Sequence, residues 1–279
     1  MGFNTPLQVA EAIANSGKTK SCLPILQMIV LGIFAGAYIG FGAELSTMVG
    51  TGTADKLGLG VAKFIGGAVF STGLMLVVIG GAELFTGNNL MTIGLSQKQF
   101  GVAGLLYNWV VVFIANFIGS VLLVYIMYES NLWQTGSNAV GTTALNIAAG
   151  KVNLTFSEAF YRGIGCNWLV CLAVWLAAAS QDVVGKIFGI FFPIMAFVAS
   201  GFEHCVANMY FIPMGILLKA DPAMTDAVTA LGAKADLLTW SGFAVNNLVP
   251  VTLGNIVGGA VFVGLAYFMV YVKQMNNCK

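Results

Sequence analysis

Six apolar stretches run through the chain, with approximate limits Leu23–Val49, Lys63–Leu95, Gly101–Tyr128, Phe156–Ala179, Lys186–Leu218 and Phe243–Val272. Each is as long as the roughly 20 residues a helix needs to cross a bilayer, or longer. The second and fifth exceed one straight crossing, and each holds a polar interruption. The pattern therefore predicts an all-α integral membrane protein with six transmembrane helices, the second and fifth broken.

The two interruptions share one signature. The first reads Gly81-x-Glu83-x-x-x-x-Asn88, the second Gly201-x-Glu203-x-x-x-x-Asn208. A second pattern recurs one span later in each half, as Asn108, Asn116 and Gly119 in span three and as Asn247, Asn255 and Gly258 in span six. Two matching pairs in the same order predict a duplication of three spans, with repeats at 23–128 and 156–272. A three-span repeat enters the membrane with its second copy upside down. Such inverted repeats place a site near the midplane, where the broken helices meet. One transmembrane domain over 1–279 is expected, preceded by an amphipathic segment at 1–20.

Composition narrows the reading. Of 279 residues, 58% are hydrophobic and 8% charged, against roughly 25% charged in soluble domains. The net charge is +1, which leaves no polybasic surface for nucleic acid. The five cysteines (Cys22, Cys166, Cys171, Cys205, Cys278) include no CxxC, and three lie in apolar spans. Small apolar packing is expected of them rather than a disulfide framework. Residues Thr5–Asn15 read as a short amphipathic helix, with Thr5 as N-cap, Pro6 at the first position and an apolar side of Leu7, Val9, Ala10 and Ile13. Lys18 and Lys20 follow, as in a segment lying at the membrane interface. This helix stands directly before span one, where it is placed to plug the mouth of a pore. No signal peptide is read. Basic residues divide six against six between the two sides, so charge does not set orientation. Glycines at helical spacing, Gly32, Gly36 and Gly40 among them, read as close backbone packing.

The candidate chemistry sits at the breaks. A broken helix leaves backbone N–H groups unpaired at the start of its second half, and such ends attract anions. Asn88 or Asn89, and Asn208, stand where the N-caps of the half-helices are expected. Glu83 and Glu203 have two readings: they brace the loops, or they touch a permeant species. His204, the only histidine, is either a satisfied core residue or a group facing a pore. Phe70, Leu74, Leu84, Phe85 and Phe197 flank the breaks, as core or as hydrophobic constrictions. No Walker A sequence, HExxH or G-x-S-x-G occurs, and a lone histidine excludes histidine-rich metal sites. Neither an enzyme nor a cofactor is expected.

Four stretches carry a family resemblance: 81–87 (GAELFTG), 166–175 (CNWLVCLAVW), 199–209 (ASGFEHCVANM) and 247–255 (NLVPVTLGN). They reach both halves, and the chain resembles the formate/nitrite transporter family. The resemblance implies an aquaporin-like protomer with its own pore, a homopentamer in the lipid bilayer of the bacterial inner membrane, both termini cytoplasmic, and small monovalent anions as cargo. It places the family's central histidine on His204 and its loop threonine on Thr86. The constriction residues fall on Phe70, Leu74, Leu84 and Phe197, the lysine outside the pore mouth on Lys151, and a span-four asparagine on Asn167. Glu83 stands where some formate members have aspartate, and the Gly87-Asn88-Asn89 run replaces their small hydroxyl residues. Formate is the cargo expected first. Nitrite, hydrosulfide or lactate is the alternative within the family, and a neutral-solute pore or a membrane enzyme the alternative outside it.

Overall fold

The computed structural model describes residues 2–273, so Cys278 and Lys279 lie outside the described residues. The chain is helical almost throughout. Helices α1 (Pro6–Ser21), α2 (Ile25–Gly50), α3 (Thr53–Leu57) and α4 (Leu59–Gly80) lead to the first break. A 3-10 turn at Gly87–Met91 and α5 (Thr92–Ser96) complete span two, and α6 (Val102–Glu129) is span three. The second half follows as α7 (Ala139–Val152), α8 (Phe156–Ala179), α9 (Val183–Ser200) and α10 (Cys205–Ala220). After α11 (Thr225–Leu231), the sixth span Gly242–Lys273 holds α12 (Val249–Ile256) at its centre. Wider π-type turns lie on both sides of it. Among the described residues, six helices are long and apolar enough to cross a membrane, in the order that the hydropathy pattern predicts.

The repeated signatures have direct structural causes. Both helices before the breaks end on a glycine in the left-handed region, Gly81 at φ 81° and Gly201 at φ 78°. Only glycine takes this conformation without a Cβ clash. The chain then leaves the helix, and its exposed backbone groups need partners at membrane depth. Asn116 supplies them in the first half. Its Nδ2 donates to the carbonyls of Gly32 and Glu83, each at 2.8 Å, and its Oδ1 accepts the Phe85 N–H at 2.9 Å. Asn255 does the same in the second, donating to the carbonyls of Gly163 (2.8 Å) and Glu203 (2.9 Å) and accepting the Cys205 N–H at 2.9 Å.

The glycine that closes each Asn-x7-Asn-x2-Gly pattern marks a helix crossing. A Cβ on Gly119 would lie 1.9 Å from the Ile33 carbonyl oxygen, and one on Gly258 2.3 Å from that of Ile164. Spans one and three, and spans four and six, thus meet backbone to backbone. On the outer face of α6, Leu106, Val110, Ile114, Ile118 and Leu122 are exposed at helical spacing, a surface suited to hydrocarbon rather than water.

Two segments differ from the sequence reading. Helix α1 runs further than Thr5–Asn15 and packs one face against the body of the chain. A capping box of Thr5 and Gln8 starts it, and Val9, Ala10, Ile13, Ala14 and Gly17 are buried along one face. The Asn4 N–H donates to the Ala179 carbonyl at 2.7 Å, which ties its start to the end of α8. Helix α7 is not among the predicted spans, since its mixture of Ala, Thr, Gly and Asn is too short and too polar to read as one. The cysteines Cys22, Cys166, Cys171 and Cys205 are all free, and the last three are buried.

Candidate functional site

Each break is held by one lysine, one glutamate and two asparagines. In the first half, Lys20 from the last turn of α1 donates to Glu83 Oε1 at 2.7 Å and to Asn88 Oδ1 at 2.8 Å. Asn88 Nδ2 donates to Glu83 Oε2 and to Asn108 Oδ1, both at 2.8 Å. In the second, Lys151 from the last turn of α7 donates to Glu203 Oε1 at 2.9 Å. Asn208 Nδ2 donates to Glu203 Oε2 and to Asn247 Oδ1, both at 2.7 Å. Asn108 and Asn247 close each lattice by donating to the carbonyl of the lysine itself. Both glutamates are therefore buried carboxylates with paired charge and filled acceptor positions, the condition under which a buried charge is tolerated.

The lattices differ at two points: Asn247 Nδ2 also donates to Glu203 Oε2 at 3.3 Å, which Asn108 does not do to Glu83, and the lysines differ. Lys151 does not bond Asn208 as Lys20 bonds Asn88. Its ammonium instead sits 5.2 Å from the centre of the Phe211 ring, and Asn208 Oδ1 is buried with no partner among the described residues.

Between the breaks stands one polar contact. Thr86 Oγ1 and His204 Nε2 are 2.9 Å apart, with Thr86 0% and His204 2% exposed. The proton on this histidine is assigned by the other ring nitrogen. His204 is the N-cap of α10, and its Nδ1 accepts the Ala207 N–H at 3.0 Å. An accepting Nδ1 leaves the proton of the neutral ring on Nε2, so His204 donates to Thr86. The Thr86 hydroxyl, accepting from His204, keeps its own O–H to donate elsewhere.

Two cavities flank this contact. One, of about 320 Å³, is lined by Lys20, Glu83, Asn88, Leu74 and Leu84, with Ile13, Ser16 and Gly17 of α1 in its wall. The other, of about 460 Å³, is lined by Lys151, Glu203, His204, Phe70, Phe197, Lys63 and Arg162. Phe70 and Phe197 meet edge to face at 5.7 Å, and Phe197 stacks on His204 at 6.0 Å. Leu74 and Leu84 line the smaller cavity, His204, Phe70 and Phe197 line the larger, and Thr86, which lines neither, meets His204.

Most of the residues singled out from sequence thus converge, but several sit differently. Phe85 lines neither of these cavities. Its ring packs against Trp109 and Phe113 of α6, at 5.9 and 5.0 Å. Asn167 is fully buried behind the contact, where its Nδ2 donates to the carbonyls of Thr86 (3.2 Å) and Asn255 (2.7 Å) and to Asn89 Oδ1 (2.8 Å). It holds the backbone that presents Thr86. Asn208 is not the N-cap of α10, since the cap is His204 itself; in the first half neither Asn88 nor Asn89 is a cap, since both lie inside the 3-10 turn and the residue before it is Thr86, with no side-chain cap bond. Lys20 is the residue that the sequence reading left at the interface, although both lysines stand five positions before the next span (20 to 25, 151 to 156). Among the described residues, no group of His, Cys, Asp and Glu is placed to hold a metal ion.

Comparison with known proteins agrees with this architecture. The family model described as "Formate/nitrite transporter" matches residues 7–269. A probable formate transporter of Methanothermobacter thermautotrophicus is 47% identical over 288 aligned residues, covering 98% of each chain. A formate channel of Escherichia coli (strain K12) is 37% identical, over 98% of this chain and 96% of its own. A solved pentameric formate channel with formate bound superposes with a TM-score of 0.78 at 40% identity, covering 89% of this chain and 98% of that one. Members of this family are channels and transporters, not enzymes. On the match across its whole helical body, the chain belongs to the formate/nitrite transporter family.

Proposed function

We propose that each copy of this chain is a pore for small monovalent anions of the formate type, running from the Lys151 cavity past Phe70–Phe197, the Thr86–His204 contact and Leu74–Leu84 to the Lys20 cavity. The observation that carries this reading is the single buried polar contact between two cavities, each with its own lysine. A bare anion is strongly disfavoured in an apolar constriction. The lysines draw it to either mouth, and the free Thr86 O–H offers a donor where the walls are otherwise apolar. The similarity to formate channels supports formate as first cargo, with nitrite and hydrosulfide as smaller or comparable alternatives. The same similarity supports a homopentamer in the bacterial inner membrane with cytoplasmic termini.

His204 can assist in two ways, as a hydrogen-bond donor or as the donor of a full proton that lets a neutral acid cross. The resting geometry favours the first. A doubly protonated ring would turn Nδ1–H against the Ala207 N–H, so proton donation requires the cap of α10 to break. His204→Asn separates the two, since asparagine is a good N-cap and keeps the helix start while removing the ring. Formate flux into proteoliposomes is then followed across a pH series. The hydrogen-bond role predicts lowered flux with an unchanged pH profile, whereas proton donation predicts that the profile itself collapses. Unchanged flux with an unchanged profile would exclude both roles.

A further inference from the structure

We propose that Arg162 is a specificity-determining residue for planar two-oxygen anions at the Lys151 mouth; this rests on the pore reading above. Arg162 is the chain's only arginine and lines the larger cavity together with Lys63, Lys151 and Asn146. Its guanidinium has no carboxylate partner among the described residues, where the ion pairs are Lys20–Glu83 and Lys151–Glu203. The carboxylates that stand near it are already engaged. Glu158, one turn earlier on α8, accepts from Thr155 N at 2.9 Å and Thr155 Oγ1 at 2.8 Å in the capping box that starts the helix. Glu203 gives Oε1 to Lys151 and Oε2 to Asn208 and Asn247.

The backbone of Arg162 is fixed to the break, because its carbonyl accepts the Glu203 N–H at 3.2 Å. The guanidinium stem thus starts from the same rigid unit that carries His204. This cavity also has the stronger positive field. Lys63, Lys151 and Arg162 face one carboxylate there, while the smaller cavity sets Lys20 against Glu83. Lysine supplies a point charge that draws any anion. A guanidinium adds a planar fork whose two parallel N–H groups match the two oxygens of a carboxylate or of nitrite, and match a one-centre anion no better than lysine does. Arg162 therefore sorts by shape among anions that Lys63 and Lys151 attract by charge.

The test uses purified full-length protein in proteoliposomes, with formate and hydrosulfide as separate probes at graded concentrations, for the wild type, R162K and R162Q. For R162K the half-saturating formate concentration rises on the order of tenfold, the loss expected for one charge-assisted bidentate contact. Hydrosulfide flux in R162K stays close to wild type, and R162Q slows both anions. Equal loss of both anions in R162K, or no change for formate, would overturn the proposal while leaving the pore reading in place. A wild type that carries neither anion overturns the pore reading, and the proposal with it. Matched melting temperatures and elution volumes show that R162K is folded; if it does not fold, R162Q replaces it, with formate slowed more than hydrosulfide expected and equal slowing of the two overturning the proposal.

Discussion

Thr86→Val is the sharpest test of the central contact. Valine keeps the branched shape and removes only the hydroxyl, so little cavity is left. Two effects follow from the geometry. First, the His204 Nε2–H loses its acceptor at 2.9 Å, in a ring that is 2% exposed. The ring cannot avoid this by moving its proton to Nδ1, because Nδ1 is occupied by the Ala207 N–H. A buried donor left unsatisfied destabilises by about 1–3 kcal/mol. Second, the anion loses the free O–H at the constriction. A hydrogen bond to a charged group contributes about 1.5–3 kcal/mol, and each 1.36 kcal/mol is tenfold in rate, so flux should fall about 10- to 150-fold. Thr86→Ser keeps the oxygen and should transport near the wild-type rate. The assay is formate uptake by proteoliposomes, with the melting temperature in detergent and the elution volume measured on the same preparations. Wild-type flux in Thr86→Val, with assembly intact, would refute the idea that the hydroxyl contacts the passing anion.

Two further substitutions probe the scaffold. Lys151→Met leaves Glu203 Oε1 without its partner at 2.9 Å and should lower stability by up to about 3–5 kcal/mol, as breaking a buried ion pair does. The double variant Lys151→Met/Glu203→Gln should regain most of that melting temperature without regaining flux; recovery of flux as well would show that Lys151 is only a brace. Gly201→Ala meets nothing within 4 Å of the new Cβ, so its whole effect is the backbone at φ 78°. It should cost about 1–2 kcal/mol and Gly201→Asn less. Equal melting of Gly201→Ala and the wild type would contradict this account of the break.

The breaks were legible in the sequence because a glutamate or asparagine inside an apolar run must be answered by another polar group. Asn108, Asn116, Asn247 and Asn255 are those answers, and they recur for that reason. Lys20 was not legible. A lysine at the end of an amphipathic helix is ordinary, and its partner Glu83 lies 63 positions away. The capping role of His204 was hidden by Asn208, a stronger N-cap by residue type that is spent on Glu203 and Asn247. Helix α7 carries an apolar stripe at helical spacing (Val140, Ala144, Leu145, Ala148, Val152) but is too short to read as a span. Yet it presents Lys151 as α1 presents Lys20, so the matched contacts extend the correspondence of the halves beyond 23–128 and 156–272 to the helix before each first span.

That correspondence also locates where the halves part. The Phe85 N–H bonds Asn116 as the Cys205 N–H bonds Asn255, which aligns the two breaks residue by residue. In this alignment His204 matches Leu84, and Thr86 matches Val206. The Thr86–His204 contact therefore joins two positions that are not equivalent, and its symmetry mate would be Leu84 against Val206, which is apolar. An inverted repeat with identical halves would present the same groups to an anion arriving from either side. Here the lattice that holds the breaks is made twice, while the Thr86–His204 contact is made once. Direction-dependent chemistry in this chain can therefore enter where the copies differ: at this contact, in Leu74 and Leu84 on one side against Phe70 and Phe197 on the other, at the unpaired Asn208 Oδ1, and in the excess positive charge around Lys151.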